Sequence, residues 1–201
     1  MDMFDGVGRR RDEDSGKLVS IGEHSLNGYE RNCLFRNNAD GTFTDVGFAN
    51  GADLVEDGRG VSVFDYDLDG SLDIAVRNYR QPAALLRNTG AAGRWLAIRL
   101  VGTKSNRDAV GARVTLRAAG SVQSREVRVG SGYLSTSSLT QHFGLGAVER
   151  IDAVEVRWPS GEVTALPDLA ANQRLMLREG ERAAVAVERW IYPPPTYAAT
   201  E

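Results

Sequence analysis

Apolar residues along the chain recur at every second position in short runs, and Gly, Asn and Asp break these runs about every 8 to 12 residues. The plainest run is 112–118. Ala112, Val114, Leu116 and Ala118 are apolar, while Arg113, Thr115 and Arg117 are polar, which is the alternation of a strand with one buried and one wet face. The same pattern predicts strands over 32–36, 60–64, 73–76, 84–87, 95–100, 123–129, 153–157, 162–166 and 174–178. A turn at Gly120 should pair 112–118 with 123–129 as a hairpin, and Ala39-Asp40-Gly41 and Trp158-Pro159-Ser160-Gly161 have the chemistry of tight turns. No amphipathic helix longer than two turns is expected, so the predicted class is all-β.

Two segments resemble each other. Leu34-Phe35-Arg36-Asn37-Asn38 and Leu85-Leu86-Arg87-Asn88-Thr89 are offset by 51 residues (85 minus 34), close to the roughly 40–50 residues of a propeller blade. Shifting the acidic segment 65–73 back by the same amount gives Asp14-Ser15-Gly16-Lys17-Leu18, which lacks alternating acids, so the first copy is degenerate or incomplete. Propellers close with about four to eight blades. Residues 1–90 are too few for that, and their edges need the following domain, another chain or further blades. The Leu-Arg-Asn pattern then stops. A second β domain is expected over 91–180, followed by a tail over 181–201 that contains Pro193-Pro194-Pro195 and reads as an extended segment.

Composition narrows the function classes. The 201 residues carry 24 basic and 27 acidic groups, net -3. Residues 1–90 hold 16 acidic against 10 basic groups, and residues 91–201 hold 11 against 14. The +3 of the second half is too small and too spread for a nucleic-acid footprint, and Arg9-Arg10-Arg11 is followed at once by Asp12-Glu13-Asp14. No apolar run approaches the roughly 20 residues of a membrane span. The first residues lack the apolar core of a secretory signal. Cys33 is the single cysteine, which excludes an intramolecular disulfide and any multi-cysteine metal site.

One motif carries chemistry. In Asp65-Tyr66-Asp67-Leu68-Asp69-Gly70-Ser71-Leu72-Asp73, carboxylates stand at loop positions 1, 3, 5 and 9, with glycine at 6. Acids so close repel unless a cation neutralises them. A hard divalent ion with six to eight oxygen ligands, calcium before magnesium, suits the spacing. The expected ligands are the side chains of Asp65, Asp67, Asp69 and Asp73 and the backbone carbonyl of Ser71. Val76 stands where an EF-hand needs its bidentate Glu, and the flanks read as strands, so the loop joins two strands and the ion is expected to be structural.

These residues resemble a known pairing of families. Leu34-Phe35-Arg36-Asn37-Asn38-Ala39-Asp40-Gly41-Thr42-Phe43-Thr44-Asp45-Val46, Gly58-Arg59-Gly60-Val61 and the acidic loop resemble the FG-GAP/VCBS repeat. Thr103–Val114, Gly130-Ser131-Gly132-Tyr133-Leu134-Ser135, His142-Phe143-Gly144-Leu145-Gly146 and Val156-Arg157-Trp158-Pro159-Ser160-Gly161 resemble an ASPIC/UnbV domain. The combination is similar to bacterial relatives of the cartilage acidic protein family. The resemblance implies partial propeller-type blades followed by a small antiparallel β-sandwich-like domain. It also implies an exported setting, calcium held by the loop aspartates, and work in adhesion or recognition. No catalytic residue carries over.

Other candidates weigh less. His24 and His142 are too few for a three-histidine zinc site, and His142 reads as a structural histidine at a strand-to-turn transition. Ser131 lacks a nucleophile elbow, and Gly144-Leu145-Gly146 reads as a turn. Lys104, Arg107 and Asp108 share a loop that could form a binding rim. Trp95 and Trp158 read as core, and Trp190 is the freer candidate for a sugar platform. The leading expectation is a non-enzymatic calcium-binding module that recognises a protein or glycan surface, or further blades in cis or trans. The alternative is an accessory biosynthetic enzyme with a polar pocket around Tyr133, Ser135, His142 and Arg107.

Overall fold

The computed structural model describes residues 9–11, 18–20, 30–90, 93–130 and 132–188. As the period-two pattern requires, they are built from strands. These are β1 (Arg9–Arg11), β2 (Leu18–Ser20), β3 (Phe35–Asn37), β4 (Phe43–Asp45), β5 (Gly58–Phe64), β6 (Asp73–Asn78), β7 (Ala84–Leu86) and β8 (Arg94–Val101). There follow β9 (Arg113–Ala118), β10 (Ser121–Glu126), β11 (Gln141–Gly146), β12 (Arg150–Arg157), β13 (Val163–Ala170), β14 (Gln173–Arg178) and β15 (Val185–Ala186). The one helix among the described residues, α1 (Gly47–Asn50), has four residues. None is long and apolar enough to cross a membrane. The all-β class is the one observed.

The chain divides into two compact units, Met1–Arg59 with Val76–Ala84, and Gly60–Ala75 with Leu85–Glu201. In the first, β3 and β4 form an antiparallel hairpin with Phe35 opposite Asp45. Its turn uses left-handed backbone at Ala39 and Gly41, where the sequence predicts it. Asp45 Oδ1 accepts the N–H groups of Leu34 and Gly47 and so ties β3 to α1. Apolar burial is slight here. Of its described apolar side chains, Ala52 and Val76 are buried, while Phe35, Phe43 and Phe48 are 61%, 63% and 88% exposed.

The second unit is a sandwich. One four-stranded sheet has the order β10-β9-β12-β13, all antiparallel, and the other the order β11-β8-β14-β15. In the latter β8 and β14 run parallel, and β11 and β15 pair antiparallel. Leu96, Ile98 and Leu100 of β8, Val114 and Leu116 of β9, Phe143 of β11, Val154 and Val156 of β12 and Leu175 and Leu177 of β14 meet in one core. The expected β9–β10 hairpin forms. Ala119 and Gly120 both have positive φ (48° and 75°), as a two-residue turn matched to strand twist requires. The turn at 158–161 closes with Trp158 N–H donating to the Glu162 carbonyl at 2.9 Å, and the Trp158 indole N–H donates to Thr164 Oγ1 inside.

Four features differ from the sequence reading. His142 and the Gly144-Leu145-Gly146 segment lie within β11, which pairs with β8 and carries a bulge between Gly144 and Gly146. Gln141 at an inward position and two glycines disguise its alternation. Residues 127–129 fall beyond β10, where the Val127 N–H bonds the Ala112 carbonyl across the hairpin mouth. The acidic loop belongs to the same compact unit as the sandwich, although it lies upstream of the expected boundary at residue 90. Within the expected tail, β15 pairs with β14 through Val185 and Ala186. His24, Ser131, Trp190 and the three prolines lie outside the described residues.

Candidate metal centre

The acidic loop joins β5 to β6. It doubles back through left-handed backbone at Leu68 (φ 63°) and Gly70 (φ 92°). A side chain at Gly70 is opposed on two grounds, because φ is positive and a Cβ there would lie 1.9 Å from Trp95 Nε1 unless one of them shifts. The Gly70 carbonyl accepts a hydrogen bond from His142 Nε2 at 2.8 Å, and the His142 ring stacks on Trp95 at 6.2 Å. The loop is thus seated on β8 and β11.

Of the five expected ligands, three carboxylates converge. Asp65, Asp67 and Asp73 each offer an oxygen within 4.8 Å of the others. Asp73 is buried, and its oxygens accept Tyr66 N–H at 2.8 Å and Asn88 N–H at 2.7 Å. Asp65 Oδ2 accepts Gly70 N–H and an Arg174 guanidinium N–H, each at 3.1 Å. Asp65 Oδ1 is buried with no hydrogen-bond partner. Asp67 Oδ2 lies 2.6 Å from Arg87 Nε. Asp69 stands outside this group, with its Oδ1 accepting Ser71 N–H at 2.7 Å. That bond, with the Arg87 and Arg174 charges, holds Asp69 below the usual carboxylate range against the opposing effect of desolvation. Ser71 itself is buried.

Two arginines absent from the expected set complete the site. Arg87 follows β7, and Arg174 on β14 donates to Asp65 and to the Leu68 carbonyl while its guanidinium lies 4.8 Å from the Trp95 ring centroid. Arg87 and Asn88 are the Arg-Asn of the second Leu-Arg-Asn copy, so the repeat itself was the signal for them. Nothing local points to Arg174, which is 109 residues from Asp65.

The remaining candidates have structural partners. Lys104 Nζ pairs with Glu162 at 2.8 Å, and Asp108 with Arg99 at 2.6 Å. Trp95 and Trp158 are buried, as expected. His142 is engaged by Gly70 and Trp95, Tyr133 is exposed, and no hydrogen bond joins Tyr133, Ser135, His142 and Arg107 to one another among the described residues. Sequence reasoning also missed Glu179, a buried carboxylate that organises the 103–105 loop.

Fold and site together define an all-β protein whose sandwich unit carries a three-carboxylate loop flanked by two guanidiniums. Residues 102–184 match the family model described as "ASPIC and UnbV". The chain is 36% identical over 124 residues to "Cartilage acidic protein 1" of Homo sapiens, covering 58% of this chain and 18% of that protein. It is 36% identical over 114 residues to "Cartilage acidic protein 1" of Xenopus tropicalis, covering 53% and 17%. The chain thus spans less than a fifth of the length of these curated relatives.

Proposed function

We propose that the chain is a calcium-binding recognition module without enzymatic activity. The ion holds the β5–β6 loop, and the sandwich unit offers the surface that meets a protein or glycan. The observation that carries the reading is Asp65 Oδ1, a buried carboxylate oxygen with no donor, in a group whose other carboxylates, from Asp67 and Asp73, lie within 4.8 Å. Such an oxygen is costly unless a cation or donor meets it, and an all-oxygen set suits calcium. Charge bookkeeping agrees. Asp65, Asp67, Asp69 and Asp73 carry four negative charges and Arg87 and Arg174 two positive ones, which leaves two for a divalent ion to balance. Asp65, Asp67 and Asp73 would hold the ion, with Asp69 and the Ser71 carbonyl as the further positions the sequence spacing supplies. A bound ion would neutralise the loop and fix its backbone. The likeness of 34–46 and 58–73 to FG-GAP/VCBS repeats supports calcium as the occupant, an exported setting, and further blades in cis or trans as neighbours of the first unit.

The test is the melting temperature in calcium, in magnesium and in chelator, for wild type and Asp67→Ala. A ligand that binds only the native state at about a hundredfold excess over its dissociation constant adds ~2.7 kcal/mol, or roughly 5–10 °C for a chain of this size. A calcium-specific rise of that order, lost in Asp67→Ala, is expected. Equal melting in calcium and chelator would remove the ion from the reading.

A further inference from the structure

We infer that the outer face of the β10-β9-β12-β13 sheet carries a binding site for an acidic sugar, a ligand with a carboxylate and neighbouring hydroxyls. This names a ligand class for the recognition reading and rests on it, though not on the cation loop. Val114, Leu116, Val154 and Val156 face the core, so Arg113, Thr115, Glu155 and Arg157 alternate onto the opposite face. The register sets Arg113 directly opposite Arg157 on one side and Glu126 on the other, with Thr115 opposite Glu155. With Gly111 and Trp158 these side chains line a cavity of about 610 Å³, within the size range of small-molecule sites.

The charges around the cavity, Arg128 included, are unbalanced in one sense. Like charges at directly opposed positions repel. Glu126 lies 2.7 Å from Arg128, and Glu155 lies 3.8 Å from Arg157, so each carboxylate has its own guanidinium. Arg113 makes no ion pair among the described residues. The lining itself holds two arginines and two glutamates, but Arg128, from outside it, takes up Glu126, which leaves Arg113 as the guanidinium without an ion pair. A guanidinium fork takes a carboxylate through two parallel hydrogen bonds, and Arg157 across the strands brings a second fork to the same place. Thr115 and Glu155 add oxygens that accept hydrogen bonds, which ligand hydroxyls supply. A sugar acid meets both demands. A zwitterion would bring an ammonium to carboxylates already paired, and a simple cation would find no unmatched acid.

The experiment is an NMR titration of the ¹⁵N-labelled chain in calcium-free buffer with digalacturonate, using cellobiose as the uncharged sugar and inorganic sulfate as the sugar-free anion. Digalacturonate alone is expected to give saturable shifts at Gly111, Arg113, Thr115, Glu155 and Arg157. Arg113→Gln and Arg157→Gln are each expected to weaken it about tenfold or more, with unchanged melting temperature since both side chains are exposed. Equal shifts with sulfate or cellobiose, undiminished binding by both variants, or no saturable shift would overturn the assignment. Saturable shifts confined to other residues would remove the groove yet leave the recognition reading standing, and that reading's cation is tested separately by the melting experiment.

Discussion

Glu179 shows how much a single residue can hold in this fold. Its side chain lies among buried positions just after β14. Its Oε2 accepts three successive backbone N–H groups, from Thr103, Lys104 and Ser105, at 2.9, 2.8 and 2.7 Å, and its Oε1 accepts the hydroxyls of Ser105 and Ser160. Burial alone would push the carboxyl up, but these donors prevail and bring it from 4.5 down to about 2. A depressed carboxyl pKa contributes stability that is present above about 4.5 and is lost as the pH falls toward 2, on the order of 3 kcal/mol. Unfolding by urea at stepped pH should therefore show a fall in stability across that window. Glu179→Gln should be less stable at pH 7 and have a flatter profile below 4.5, and an unaltered profile in the variant would assign the acid sensitivity elsewhere. Nothing in the sequence marks this glutamate, because its partners in the 103–105 loop are 74 to 76 residues away and Ser160 is 19 away. Asp65, Asp67 and Asp73 were legible for the opposite reason, since their spacing lies within nine residues and carries its own chemistry.

At the scale of elements, the period-two pattern located strands wherever inward positions are aliphatic, as in β8, β9, β12 and β14. It failed where an inward position is polar or its neighbours are glycine, as in β11, whose inward residues are Gln141, Phe143 and Leu145. That strand matters, because its His142 and the Trp95 of β8 form the seat of the acidic loop. The tightest point of that seat is Gly70. An added Cβ would meet three atoms of the Trp95 indole at 1.9, 2.1 and 2.5 Å, and Trp95 is held between the Arg174 guanidinium and His142. Gly161, in the β12–β13 turn, has nearly the same φ (89°) with nothing within 4 Å of such a Cβ. Gly161→Ala should cost about 1 kcal/mol, the backbone strain alone. Gly70→Ala should cost about 3 kcal/mol, since overpacking adds to that strain. Urea unfolding of the two variants separates the effects, and equal losses would mean that the loop lifts away from Trp95 freely.

Across the whole molecule, apolar burial is divided unevenly between the two units, and stability should follow it. The sandwich unit gathers its aliphatic and aromatic side chains into one core, from Leu96 through Leu177. The described residues of the other unit bury Ala52 and Val76 and leave Phe35, Phe43 and Phe48 exposed. Hydrophobic burial scales with the apolar area removed from water, and regions with few buried contacts open at lower free energy than a core. Native-state hydrogen exchange should therefore give Arg36 of β3 and Thr44 of β4 opening free energies about 2 kcal/mol or more below those of Ile98, Leu116 and Val154. The amides of Gly70 and Ser71 should exchange with the sandwich, because their loop belongs to its compact unit and is tied to β8, β11 and β14 by Trp95, His142 and Arg174. The 51-residue repeat and the end of its Leu-Arg-Asn pattern suggested a boundary near residue 90, since local similarity records a shared motif and not where its side chains pack. If β3 opens at the same free energy as β12, the chain unfolds as one cooperative body and the exposed phenylalanines are no measure of its weakest part. If Gly70 exchanges with β3 instead, the acidic loop follows its sequence neighbours, and a cation bound there would stabilise the first unit in place of the sandwich.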